Sequence, residues 1–169
     1  MRFSTKLFAG PIAKSLWCIA ANDPNFTRAN LSGRGIKDDD VTKLADAFEG
    51  NTTVTHLLLN GNKITDVGAS KLAEMLKKNK TLRSLGMNGN KITDVGASKL
   101  AEMLQSNKAI KKLYLHSNNI TDAGARRLAE TLQWSNSTLT ILSLNHNNGT
   151  SADVMCKIER LVKINKESP

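Results

Sequence analysis

Residues 60–76 read NGNKITDVGASKLAEML, and residues 88–104 read NGNKITDVGASKLAEML again, 28 positions later and without a change. Self-similarity at a period between about 20 and 50 residues marks a repeat architecture, in which each unit buries its apolar side against its neighbours. The repeat runs beyond the identical block. In phase with it, apolar columns appear as Val54, Leu82, Ile110, Leu139, then Leu57, Leu85, Leu113, Leu142, then Leu59, Met87, Leu115, Leu144. An asparagine column follows (Asn62, Asn90, Asn118, Asn147), and then Ile64, Ile92, Ile120. The spacing is 28, 28 and then 29 residues.

The two halves of each unit carry different periods. Leu57 and Leu59 alternate, the period of a strand. Ala69, Leu72, Ala73 and Leu76 fall at helical spacing. One strand and one helix per unit, with all strands running the same way, requires right-handed crossovers. The expected fold is therefore α/β: a solenoid with an inner parallel sheet and outer helices. The pattern L-x-x-L-x-L-x-x-N-x-I resembles the leucine-rich repeat over residues 53–146. The unit length and the helical half, I-T-D-x-G-A-x-x-L-A-E-x-L, are similar to the ribonuclease-inhibitor-like subfamily, as in NLR sensors and the Ran GTPase activator. That resemblance implies a curved, horseshoe-shaped molecule and a non-enzymatic role in binding proteins.

Individual columns have physical readings. A buried Asn satisfies turn amides that a strand end leaves unpaired, so the asparagine column reads as structural. Thr65–Asp66, Thr93–Asp94 and Thr121–Asp122 sit where helices begin and read as N-caps, not catalytic acids. Gly68, Gly96 and Gly124 fall in the first helical turn, where Gly is a poor helix former. Close approach to the neighbouring repeat explains them.

The pattern also organises the ends, and it gives a single domain over 1–169. Residues 1–25 read as an N-terminal capping helix, with Ala13, Leu16 and Ile19 in phase and Pro11 tolerable in the first turn. Residues 26–52 read as a degenerate repeat, in which Arg34 replaces the column Asn and implies a different turn. Repeats follow over 53–80, 81–108, 109–137 and 138–164, the last a C-terminal cap whose stripe is Val154, Ile158, Leu161 and Val162. Residues 165–169 read as frayed. An alternative reading of residues 1–22, basic and free of acids, is a targeting peptide, mitochondrial or secretory. The leading expectation for location is cytoplasmic. Cys18 and Cys156 are placed about five repeats apart, too far to form a disulfide, and so read as free thiols. Seven N-x-S/T sequons occur, mostly at template positions, and argue little for secretion.

Composition bounds function. Formal net charge is +9, with nine Lys/Arg against four Asp/Glu in residues 53–108. No run of apolar residues is long enough for a transmembrane helix. One tyrosine in the chain gives no stacking platform for single strands, so specific nucleic-acid binding is not expected. The sequence offers no nucleophile elbow, phosphate loop or metal-spaced His/Cys cluster. No catalytic residue, metal site or cofactor is assigned, and a monomer is expected. The surface left for function is the set of strand positions flanking the Leu columns, which alternation points to the concave side. The candidate contacts are His56, Leu58, Asn60, Ser84, Asn88, Lys112, Tyr114, His116, Ser143 and Asn145, for a protein or peptide partner. Tyr114 has the chemistry of a binding hot spot. Leu58, a large aliphatic on that side, would be exposed. Trp134 reads as packing over a helix end. The alternatives are an electrostatic binder that takes an acidic partner on the basic helix face, or a GTPase-activating role, which the family performs with longer arrays and an acidic tail.

Overall fold

The computed structural model describes residues 12–147 and 149–167. Five strands, β1 (Arg28–Asn30), β2 (His56–Leu58), β3 (Ser84–Gly86), β4 (Lys112–Tyr114) and β5 (Ile141–Ser143), alternate with helices. The helices are α1 (Ala13–Ala20), α2 (Asp38–Ala47), α3 (Asp66–Lys78), α4 (Asp94–Ser106), α5 (Asp122–Trp134) and α6 (Ala152–Glu167). The strands form one parallel sheet in the order β1-β2-β3-β4-β5. Register follows the repeat: Ala29 pairs with Leu57, Leu57 with Leu85, Leu85 with Leu113 and Leu113 with Leu142. Each helix packs on the next, and α1 packs on α2.

The core is the ladder between the sheet and the helices. Leu57, Leu85, Leu113, Ile64, Ile92, Leu72 and Leu100 are all fully buried. Truncating any one to Ala leaves a cavity that costs about 2–5 kcal/mol. Ile12, Leu16 and Ile19 of the first helix join this core at one end, and Val154 and Ile158 join it at the other. Pro11 lies outside the described residues.

The asparagine column works as a clamp between repeats. Asn90 Nδ2 donates to Met87 O and to Leu59 O of the preceding repeat, while its Oδ1 accepts from Ile64 N. Asn62 and Asn118 do the same one repeat either side. Where Arg34 stands in place of Asn, the turn does differ: Gly33 and Gly35 both adopt φ of +68°. A single glycine or its equivalent takes that conformation in later repeats, at Gly61, Gly89, Ser117 and His146.

One expectation about caps needs correction. Thr93 is the N-cap, its Oγ1 accepting from Val95 N at 3.3 Å, but the Asp after each cap Thr accepts backbone hydrogen bonds from the next repeat. Asp66 accepts from Thr93 N (2.8 Å), Thr93 Oγ1 (2.7 Å) and Gly96 N (2.9 Å). Asp38 and Asp94 repeat the arrangement on Thr65 and Gly68 and on Thr121 and Gly124. Burial opposes the charged form of Asp94, yet the Thr121 hydroxyl and the Thr121 and Gly124 amides together hold its pKa below the ordinary carboxylate value. At the far end of the ladder the Ser151 amide lowers Asp122 in the same direction.

The C-terminal end also departs from expectation. Asn165 is not frayed: α6 runs to Glu167, and Asn165 Nδ2 donates to Asn136 O and Leu139 O. It completes a second asparagine column, Asn51, Asn79, Asn107 and Asn136, that the sequence reading did not recognise as structural. Asn107 Nδ2 reaches Leu76 O and Asn79 O, and its Oδ1 accepts from Ala109 N and Ile110 N. The extra residue of the 29-residue repeat lies here, as Ser135, in a widened turn where both Ser135 N and Asn136 N donate to Thr131 O. Trp134, at the helix position of the exposed Lys78 and Ser106, is 77% exposed, so it does not pack over the helix end.

Candidate functional site

The open face of the sheet displays the residues between the buried Leu columns. The strand register aligns them in two rows: Arg28, His56, Ser84, Lys112, Ile141, and Asn30, Leu58, Gly86, Tyr114, Ser143. Arg28, Asn30 and Lys112 are exposed, while His56, Leu58, Tyr114, His116, Ile141 and Ser143 are half-buried. Asn145 is exposed in the turn after β5. Seven of the ten expected contact residues therefore lie at accessible positions on this face or its rim: His56, Leu58, Lys112, Tyr114, His116, Ser143 and Asn145.

The other three are a covered serine and two asparagines already engaged with the neighbouring repeat. Ser84 is only 4% exposed, because its short side chain sits between His56 and Lys112 on the adjoining strands. Asn60 and Asn88 are half-buried and occupied. Asn60 Oδ1 accepts from Asn88 N (3.0 Å), and Asn88 Oδ1 accepts from His116 N (3.1 Å). Each ties the end of one strand to the next repeat. A short polar side chain beside a turn glycine is the sequence signal for this role, and alternation alone does not separate it from a contact position.

The middle strand shapes the face. β3 presents Ser84 and Gly86, both buried, between taller neighbours on β2 and β4. Leu58 is half-buried because it leans inward: its Cδ2 lies 3.2 Å from where a Cβ on Gly86 would stand. Asn60 Oδ1 lies 2.9 Å from the same point. Leu58 and Asn60 therefore stand over Gly86, and both Ser84 and Gly86 are covered by their neighbours. Leu58 on β2 and Tyr114 on β4, two strands apart, lie about 9–10 Å from each other at the backbone. His56 Nδ1 lies 2.9 Å from Thr55 Oγ1, a hydrogen bond that orients the ring.

The helix side offers a different kind of surface. Some of its cations pair with acids, Lys77 with Glu74, Lys99 with Glu102, Arg126 with Asp122 and Arg127 with Glu130, while Lys63, Lys71, Lys78 and Lys91 join no salt bridge among the described residues. A cleft of about 500 Å³ opens where α2, at 10 residues, ends short of α3, at 13. Phe48 and Met75 line it beneath a rim of mixed sign. Met75 is half-open there, whereas the equivalent Met103 is fully buried. The shorter helix of the degenerate repeat is the sequence feature behind this cleft. Among the described residues no three His, Cys, Asp or Glu side chains are placed to share a metal ion, and no helix is long and apolar enough to cross a membrane.

The fold and its open strand face define a leucine-rich-repeat solenoid. The family model for the leucine-rich repeat matches residues 50–73, 78–101 and 106–129. Among solved structures, leiomodin-1 actin-binding site 2 is 24% identical, with a TM-score of 0.82 over 94% of this chain and 91% of that one. The tropomodulin C-terminal domain of Caenorhabditis elegans is 14% identical, with a TM-score of 0.80 over 94% of this chain and 95% of that one. These are likenesses of fold. No curated protein matches the sequence.

Proposed function

We propose that this protein is a non-enzymatic interaction module that binds a protein or peptide on the strand face of its solenoid. The observation that carries the reading is the pair Leu58 and Tyr114, half-exposed on β2 and β4 on either side of β3. Aromatic and aliphatic side chains accessible on a rigid face are what a binding hot spot needs. The rigid ladder beneath keeps the ordering cost of association low. The use of this architecture in leiomodin-1, in a region described as an actin-binding site, supports a binding role for the present chain without transferring the partner. The 28-residue α-helical unit favours placement beside the ribonuclease-inhibitor-like repeats. A thiol left free at Cys18 and another at Cys156 favour a reducing compartment.

The test is affinity capture from the native source with the wild-type chain, Leu58→Ala and Tyr114→Ala. A specific partner retained by the wild type and lost, by about tenfold or more, from both variants supports the strand face. A partner held equally by all three sends the binding surface elsewhere.

A further inference from the structure

The excess positive charge is concentrated on one flank of the solenoid. Helices α3, α4 and α5 carry six Lys/Arg against six Asp/Glu. The segments that join them, residues 79–93 and 107–121, carry six Lys/Arg and no acid. Of those six, Lys112 belongs to the strand face and Lys91 to the turn leading into α4. The other four, Lys80, Arg83, Lys108 and Lys111, stand on the rim where helices end and strands begin, and Lys78 closes α3 beside them. The opposite rim, where strands end and helices begin, mixes Lys63 and Lys91 with Asp66, Asp94 and Asp122.

The cationic rim is held in shape. Lys80 Nζ donates to Lys77 O, and Lys108 Nζ to Gln105 O and Ser135 O, so both ammonium groups sit at the negative ends of helices. Arg83 Nη1 donates to Lys80 O at 2.8 Å and to Ala109 O at 3.4 Å, which ties the two loops together. Lys111 N donates to Arg83 O, so these two cations are neighbours. Bonds to neutral carbonyls leave the charges uncancelled, and none of the five side chains joins a salt bridge among the described residues. The acids one turn back along the helices, Glu74, Glu102 and Glu130, pair with Lys77, Lys99 and Arg127. The rim turns acidic across the cleft at Asp46 and Glu49, and residues 135–140 carry no charge.

Helix-end stabilisation accounts for Lys78, Lys80 and Lys108. It does not account for Lys111, nor for Trp134 at the end of α5. Trp134 is the most exposed large apolar side chain among the described residues, and the carbonyl of the next residue, Ser135, receives the Lys108 ammonium. An indole with an apolar body and a polar N–H settles at the headgroup level of a bilayer. Lysines on flexible stems are drawn to the field of anionic headgroups. One exposed indole is no succession of stacking rings for a nucleic-acid strand.

From this we infer that the rim docks on the surface of a membrane that contains anionic lipids. Trp134 enters the headgroup layer, and Lys78, Lys80, Arg83, Lys108 and Lys111 lie against the lipid phosphates. The molecule lies on such a bilayer and does not cross it. The anionic leaflet is the cytoplasmic one, in line with the reducing compartment proposed above. No strand-face contact is used, so that face stays open to a protein partner.

The experiment is co-sedimentation of the full chain with vesicles of phosphatidylcholine alone and of equal parts phosphatidylcholine and phosphatidylserine. The chain is expected to pellet with the mixed vesicles only and to be released as salt rises. Trp17→Phe leaves Trp134 as the one tryptophan, and its emission is expected to move to shorter wavelength on the mixed vesicles. Lys78→Gln combined with Lys111→Gln is expected to weaken binding about tenfold or more. Pelleting with neither vesicle, or equally with both, overturns the inference. So does binding undiminished in the double variant, or an unmoved Trp134 emission, which needs no change on the cationic rim. Binding that soluble polyglutamate displaces without any emission shift assigns the rim to an acidic polypeptide instead. Each of these failures leaves the strand face standing, since its own test reads Leu58 and Tyr114.

Discussion

At Gly96 an added methyl would land 2.6 Å from Asp66 Oδ1 and 2.8 Å from Ile92 Cγ2. That is the physical reason for a glycine in a first helical turn. The sequence reading anticipated close approach at this column but not its agent, a carboxylate from the repeat before. Gly96→Ala gains about 1 kcal/mol in helix propensity. Against that it displaces an acceptor of three hydrogen bonds and overpacks the site, each effect worth about 1–3 kcal/mol. Denaturant titration should show a net loss of about 2–4 kcal/mol; a neutral result would mean that Asp66 does not hold the repeats together. Ser117 tests the opposite sign. It adopts φ of +55°, where the equivalent Gly61 and Gly89 take +63°. Left-handed strain on a residue with a Cβ costs about 1–2 kcal/mol, more than the roughly 0.5–1 kcal/mol entropy cost of glycine. Ser117→Gly should therefore raise the melting temperature slightly. The Asn-Gly dipeptides announced this turn in the sequence, but the serine that replaces glycine hid the strain in the third full repeat.

Between elements, the joints are polar ladders laid alongside the leucines. The leucine and first asparagine columns were legible because every copy has the same residue at the same phase. The second asparagine column was present in the letters too, at Asn51, Asn79, Asn107 and Asn136, but a 29-residue spacing interrupts it and three of its members, Asn51, Asn79 and Asn136, double as sequons. Trp134 was misplaced although its phase, shared with the exposed Lys78 and Ser106, already set it on the solvent side of the helix. The carboxylate ladder gives a pH signature. Asp94 and Asp122 have pKa values held below the ordinary range in the folded state. Their contribution is complete above the unfolded-state value, near pH 4, and fades as pH falls through the lower folded values. Melting temperature should therefore drop as the solution is acidified below about pH 4. Asp94→Asn should be less stable at neutral pH and show a shallower acid slope. An unchanged slope would remove Asp94 from the ladder's acid sensitivity.

On the scale of the whole molecule, stacking turns one 28-residue unit into two long surfaces of different character. The helix side is solvated by charges, a few of them paired and most of the excess cations not. The sheet side is rigid, and its outward strand positions carry no acid. Much of that face could be read from alternation alone, as far as His56, Leu58, Lys112 and Tyr114. The covering of β3 could not, because it comes from Leu58 and Asn60 leaning over Gly86. The central claim is that the partner sits on this side, and site-specific photo-crosslinking tests it most directly. A benzophenone side chain placed at Tyr114, and separately at Lys99 on α4, would be irradiated with the captured partner bound. The account predicts a covalent adduct from position 114 and none from position 99; an adduct from 99 alone would contradict it.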